Sequence, residues 1–266
     1  MMLRAILTCC LGLVAIGTAH AATSPGAGKV QYDRCLARAA SNPSEALREA
    51  SDWQSAGGGP ASDHCMAVAL VALHRYAEAG AKLDTLARGG FASDPMIRMA
   101  LFDQAGNAWL LATKPDSAIA SFSAALAIDP SDADLLSDRA RAEAMKKNWA
   151  GADSDLSAAL LVNPMRADLL VLRGSARHAM GRKADARADY ERALKLHPGY
   201  VDALVERGNM KYEAKDIAGA RTDWGQVVST SPDSAAAAVA RQHLADTDPT
   251  TPPANEAPVL KPPKPH

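Results

Sequence analysis

The sequence predicts an all-α fold, a right-handed superhelical solenoid of antiparallel helix pairs with a C-terminal capping helix. Three observations lead there. Pro130, Pro164, Pro198 and Pro232 recur at intervals of 34 residues. Each ends a helix, because its ring collides with the preceding turn and it has no N–H to give, and a fixed period of this length marks stacked helical hairpins. Small and bulky residues recur in step with the prolines. Ala118, Ala152, Ala186 and Ala220 are each followed four residues later by Phe122, Leu156, Tyr190 or Trp224, and three further on by Ala125, Ala159, Ala193 or Val227. Offsets of four and three share one helix face, where small residues admit a neighbouring helix and the bulky one fills the gap. Finally, aromatic residues make up only 5% of the chain while alanine is everywhere, which suits packed helices better than a sheet.

The elements follow in order. The 266 residues, 48% apolar and 22% charged, suffice for a core. Lys and Arg number 29 against 30 Asp and Glu, so no global field draws the chain to nucleic acid or anionic lipid. Residues 1–21 read as a signal peptide: Arg4, an apolar run from Ala5 to Thr18, and the small-x-small site Ala19-His20-Ala21. The run is shorter than the roughly 20 residues that span a bilayer, so no integral span is expected after cleavage, and the expected location is the periplasm. Cys9 and Cys10 leave with this segment. Cys35 and Cys65 remain, and an even pair in an exported chain predicts a disulfide.

Residues 22–30 are expected to be a flexible N-terminus. Residues 31–98 read as degenerate helix pairs, 31–56 and 60–90, with Gly57-Gly58-Gly59-Pro60 as connector. That glycine run is not a phosphate loop, since no strand precedes it and no Lys-Ser or Lys-Thr follows. Pro43 and Pro115 fit the first position of second helices, where a missing N–H costs little. Four units then span 99–132, 133–166, 167–200 and 201–234. Their first helices carry Phe102, Leu136, Leu170 and Leu204, each followed four residues later by Gly106, Ala140, Gly174 or Gly208. Residues 235–247 cap the stack. The segment 248–266 holds seven of the sixteen prolines and is expected to be an extended, disordered tail.

At Gly174, Ala186, Tyr190 and Pro198, and at their period mates, the sequence resembles the tetratricopeptide repeat family, whose pattern is W-x2-L-G-x2-Y…A-x3-F…P. The resemblance covers residues 99–232. The aromatic late in the first helix stands at Trp109 but is replaced by Glu143, Arg177 and Lys211. The resemblance implies that first helices face a concave groove in which partners bind. By that analogy the exposed groove positions are Asp103, Asn107 and Leu110, then Ser137, Arg141 and Met145, then Val171, Ser175 and His178, and last Val205, Asn209 and Tyr212. Some relatives hold a peptide's terminal carboxylate with groove lysines and asparagines. This chain has acids such as Asp138 and Asp168 there, which argues against recognition of a chaperone tail.

Two further series recur with the period. Arg139, Arg173 and Arg207 precede the small residue of the first helix, and Asp155, Asp189 and Asp223 precede the bulky residue of the second. The unit with Ala105 in place of the arginine has Ser121 in place of the aspartate. Joint presence and absence predicts a ladder of partly buried ion pairs; the competing reading has the arginines grip an acidic ligand. Asp134, Asp168 and Asp202 fall in the opening turn of first helices, where a carboxylate offsets the dipole and caps free N–H groups, and are not read as a metal site. The seven histidines form no metal-ligand spacing, and His178 reads as a lone histidine near the groove. No nucleophile elbow, phosphate loop or dinucleotide fingerprint is present, so no cofactor and no enzyme activity is expected. The expected function is a scaffold or adaptor binding a protein segment in cell-envelope assembly or maintenance. The alternative is a binding module for a small molecule or cell-wall fragment, with Met145, His178 and Tyr212 lining the pocket.

Overall fold

The computed structural model describes residues 25–89 and 93–248, and among these it contains thirteen α-helices and no strand. Residues 1–21, where a signal peptide is expected, and nearly all of the proline-rich segment lie outside the described residues. Helices α1 (Pro25–Ser41), α2 (Pro43–Ser55), α3 (Gly59–Ala72) and α4 (Tyr76–Arg88) precede the regular units. The units are α5 (Pro95–Leu111) with α6 (Pro115–Leu126), α7 (Ala133–Met145) with α8 (Trp149–Val162), α9 (Ala167–Ala179) with α10 (Lys183–Leu196), and α11 (Val201–Glu213) with α12 (Ile217–Thr230). Helix α13 (Ala235–Asp246) closes the stack. Where a flexible segment is expected over 22–30, α1 already runs from Pro25, because its inner face is tied down at Cys35 and Ala39. No helix among the described residues is long and apolar enough to cross a membrane.

Helix ends follow local chemistry. Pro43, Pro95 and Pro115 open α2, α5 and α6. Asn42, Asp94, Asp132, Asn148, Asp216 and Ser234 each accept a backbone N–H of the first turn that follows. Asp134, Asp168 and Asp202 lie inside the first turn, and the capping positions of α7, α9 and α11 belong to Asp132, Arg166 and Tyr200. The turn inside each unit is left-handed at Thr113, Lys147, Gly181 and Lys215, with φ of 55°, 60°, 76° and 66°. The next N–H then returns five residues: Lys114 to Trp109, Asn148 to Glu143, Arg182 to Arg177 and Asp216 to Lys211, at 2.8–2.9 Å. This doubly bonded turn satisfies the orphan carbonyls of the first helix and fixes the angle of the hairpin. Only one of the four is glycine, so the other three bear a steric cost.

Shape complementarity joins the two helices of a unit. A Cβ on Gly106 would stand 2.5 Å from the Phe122 ring, one on Gly174 2.5 Å from Tyr190, and one on Gly208 2.7 Å from Trp224 Nε1. Where the bulky residue is the smaller Leu156, the facing residue is Ala140, and both are buried. One apolar core runs from Ala67 to Ala240. Outside it, α1, α2 and α3 enclose two small clusters, Cys35, Ala50 and Cys65 in one and Ala39, Ala46 and Ala69 in the other. A Cys35–Cys65 disulfide with a Cα–Cα distance of 6.1 Å joins α1 to α3.

Candidate peptide-binding groove

Among the first helices α5 touches α7 and α9 touches α11, whereas no two second helices make a comparable contact. The first helices therefore line the inside of the curve.

A ladder of charge behind them holds the groove wall. Arg139 donates Nε and Nη2 to Asp155 at 2.8 and 2.7 Å, Arg173 does so to Asp189 at 3.0 and 2.7 Å, and Arg207 to Asp223 at 2.9 and 2.7 Å. The remaining Nη1 of Arg139 and Arg173 reaches back to Ser123 and Ser157 in the second helix of the preceding unit, at 3.2 and 3.3 Å. Each of these two guanidiniums thus sits where three helices meet. The carboxylates are almost wholly buried, 8%, 3% and 1% exposed, so their bidentate partners are essential to the interior. Further cations join them, which the sequence pattern does not reveal. Arg177 bridges Asp189 and Asp153 at 2.8 Å each, and Lys211 reaches Asp223 at 2.8 Å. Both stand where the family pattern has its aromatic. In the unit without the pair, Ser121 and Trp109 donate instead to Asp84 of α4, at 3.0 and 2.9 Å. All three ladder arginines are committed to internal carboxylates, which leaves the ligand-gripping reading without free charge.

On the groove side, α5 and α7 bring Asp103, Asn107, Asp138 and Arg141 together. The Asn107 amide donates to Asp103 at 2.9 Å and to Asp138 at 3.4 Å, and Arg141 donates to Asp138 at 3.1 Å. Burial, and then the charges of Asp138, Asp132 and Asp134, push the Asp103 carboxyl up to about 6 against the opposing Asn107 hydrogen bond. Next to this cluster Leu110, Leu111, Ala144, Met145, Asn107 and Arg141 line a cleft of about 540 Å³. Ser137 and Val171, expected on the exposed groove, are instead buried, because the side chains between packed first helices are shut off from water.

Across α9 and α11, Ser175 donates to the Val171 carbonyl and lies 3.3 Å from the Tyr190 hydroxyl. His178 Nε2 stands 3.0 Å from Glu213, which Lys183 also reaches at 2.9 Å, so this histidine is not a lone one. Val205 and Asn209 are half-buried, and the exposed Tyr212 ring tilts against Trp224 at 5.7 Å. Burial raises the Glu206 carboxyl above its usual range; His178 opposes this, and Asp202 and Glu213 add to it. Arg166 holds both Asp134 and Asp168 at 2.6–2.9 Å, so each exposed carboxylate already has a cationic partner. Trp224 stacks on His243 of α13 at 4.8 Å, which seals the end of the stack. No group of three His, Cys, Asp or Glu among the described residues is placed to hold a metal ion.

The fold and this surface define a helical-repeat protein with a lined concave groove. The tetratricopeptide repeat model matches residues 171–236. A crystal structure of MamA is 17% identical, with a TM-score of 0.55 over 63% of this chain and 95% of its own. MamA from Desulfovibrio magneticus RS-1 is 20% identical, with a TM-score of 0.55 over 64% and 94%. The second such domain of human RPAP3, solved with the HSP70 peptide SGPTIEEVD, is 27% identical over 44% and 98%, with a TM-score of 0.43. No curated protein matches the sequence. The matched residues, 171–236, are tetratricopeptide repeats, and the 34-residue register and helix pairs of the flanking units follow the same architecture.

Proposed function

We propose that this protein is an exported scaffold that binds a segment of another protein in its concave groove, in assembly or maintenance of the cell envelope. The observation that carries the reading is the extent of the groove surface. Partly exposed side chains from Asp103 to Tyr212 run over four first helices, a scale that fits a polypeptide segment better than a compact small molecule. The wall beneath is held by the ladder, so the groove is formed before a partner arrives. The signal-like N-terminus and the Cys35–Cys65 bridge support an oxidising, exported setting.

Photocrosslinkers placed at Asn107, His178 and Tyr212 in intact cells, with Arg187 on the outer side as control, test the binding face. The expected result is one shared protein partner from the three groove positions and none from Arg187. Equal crosslinking from Arg187, or a retained low-mass ligand with no protein crosslink, would overturn it. A chain beginning at Ala22 in the periplasmic fraction is expected; a cytoplasmic chain still carrying residues 1–21 would remove the envelope assignment.

A further inference from the structure

We infer that the α5–α7 stretch of the groove docks a partner segment presenting an apolar side chain and a lysine or arginine about 10 Å apart, the apolar group in the Leu110, Leu111, Ala144 and Met145 cleft and the cation on Asp103 and Asp138. This rests on the groove reading above and adds the chemistry of the occupant.

The cleft is not a by-product of repeat packing. Leu111 and Met145 are 56% and 45% exposed, and the equivalent positions one and two units later are Ala179 and Glu213. Leu110 and Ala144 likewise give way to His178 and Tyr212. The repeat therefore tolerates small or polar groups here, and the apolar shelf belongs to these two units alone. Exposed apolar groups gathered around a cleft of about 540 Å³ favour an apolar side chain that removes them from water.

The acids beside the shelf set the charge of the occupant. Asp103 is half-buried and has no cation within ion-pair distance among the described residues; its polar partner is the Asn107 amide. Its own equivalents are Ser137, Val171 and Val205, so this carboxylate too is peculiar to the first unit. Asp138 shares Arg141, which leaves two carboxylates to one guanidinium. Of the other acids nearby, Asp132 caps α7 and Asp134 is held by Arg166. A carboxylate kept partly dry in acidic company gains most from an incoming cation, whereas an acidic segment would add repulsion. Asp103 lies seven residues before Leu110 on α5, and Asp138 seven before Met145 on α7. At 1.5 Å per residue that is roughly 10 Å, which an extended chain covers in about three residues.

Fluorescence anisotropy on the full-length oxidised chain, with labelled ten-residue glycine-serine peptides, tests this. The peptides carry leucine and lysine three positions apart, leucine and glutamate so spaced, leucine alone, or lysine alone. The leucine-lysine peptide is expected to bind about tenfold or more tighter than the other three. Asp103→Asn and Met145→Ser should each weaken it several-fold, and Arg187→Ser on the outer side should not. Circular dichroism and melting of each variant separate lost binding from lost fold. Equal or tighter binding of the leucine-glutamate peptide, or indifference to Asp103→Asn, would overturn the inference. Self-association abolished by Asp103→Asn, or binding seen only after removal of residues 249–266, would make the occupant a second copy or the chain's own C-terminal segment, and the partner would be excluded. If the groove crosslinks of the preceding section map to a partner segment without basic residues, this inference fails while the groove reading stands.

Discussion

Helices α1–α3 and helices α5–α12 bury their inner faces by different means. The first group encloses Ala39, Ala46, Ala50 and Ala69 around the Cys35–Cys65 bridge, with no large side chain fully buried. The second matches a glycine or alanine against a bulky partner in each unit and, in three of the four, locks a guanidinium onto a buried carboxylate. A unit inside a stack has neighbours on both sides and can be held by complementary shape and charge. The terminal pair has a neighbour on one side only, and there a covalent link closing a 30-residue separation contributes about 3–4 kcal/mol by loop entropy.

Substitutions sharpen that contrast. Arg173→Ala leaves the buried carboxylate of Asp189 with Arg177 as its remaining cation and should cost about 2–4 kcal/mol in chemical unfolding. Arg38→Ala removes the partly exposed bridges from α1 to Glu45 and Glu49, which solvent still screens, and should cost about 1 kcal/mol or less. Similar losses from the two would erase the distinction. In the double change with Asp189→Ala, part of the loss should return; strict additivity would mean the two groups do not interact.

Gly174→Ala should cost about 1–3 kcal/mol, because its Cβ meets the Tyr190 ring. With Tyr190→Leu already present, the same change recreates the Ala140 and Leu156 pair of the second unit. There it should turn neutral or favourable, since alanine is the better helix former by about 1 kcal/mol. Thr113→Gly relieves a β-branched residue at φ 55° and should raise stability by about 1 kcal/mol; a loss there would show that the hairpin turn tolerates threonine without strain.

The smallest effect belongs to Asp103. Its carboxyl moves from 3.8 to about 6 on folding, so the native state favours the protonated form and ionisation lowers stability. That penalty is absent below pH 3.8 and complete above about 6. Asp103→Asn should therefore be neutral near pH 3.5 and stabilising at pH 7, by about 0.5–1 kcal/mol once solvent screening is allowed for. A pH-independent difference would contradict the assigned cause.

The helix pairs were legible because a period of 34 residues marks prolines, alanines and bulky residues alike, and the ladder showed as a joint recurrence of arginine and aspartate. Arg177 and Lys211 were not legible as its further cations. They occupy an aromatic position, so they read as a missing ring, and their reach to Asp189 and Asp223 depends on the hairpin angle. That angle is set by left-handed residues of which Gly181 alone announces itself. The burial of Ser137 and Val171 depends on how closely successive first helices approach, a distance that no offset within one helix encodes. Leu111 is legible only by contrast with its period mates, since Ala179 and Glu213 stand where it and Met145 are apolar and large.

The central claim is that the groove stands on the self-supporting part of the molecule, with the covalent link serving only the end. Native-state hydrogen exchange of the full chain, read by mass spectrometry with and without reductant, tests it most directly. On reduction, amides of α1–α3 should lose protection while those of α5–α12 keep theirs. Loss of protection along the whole chain together would contradict the account.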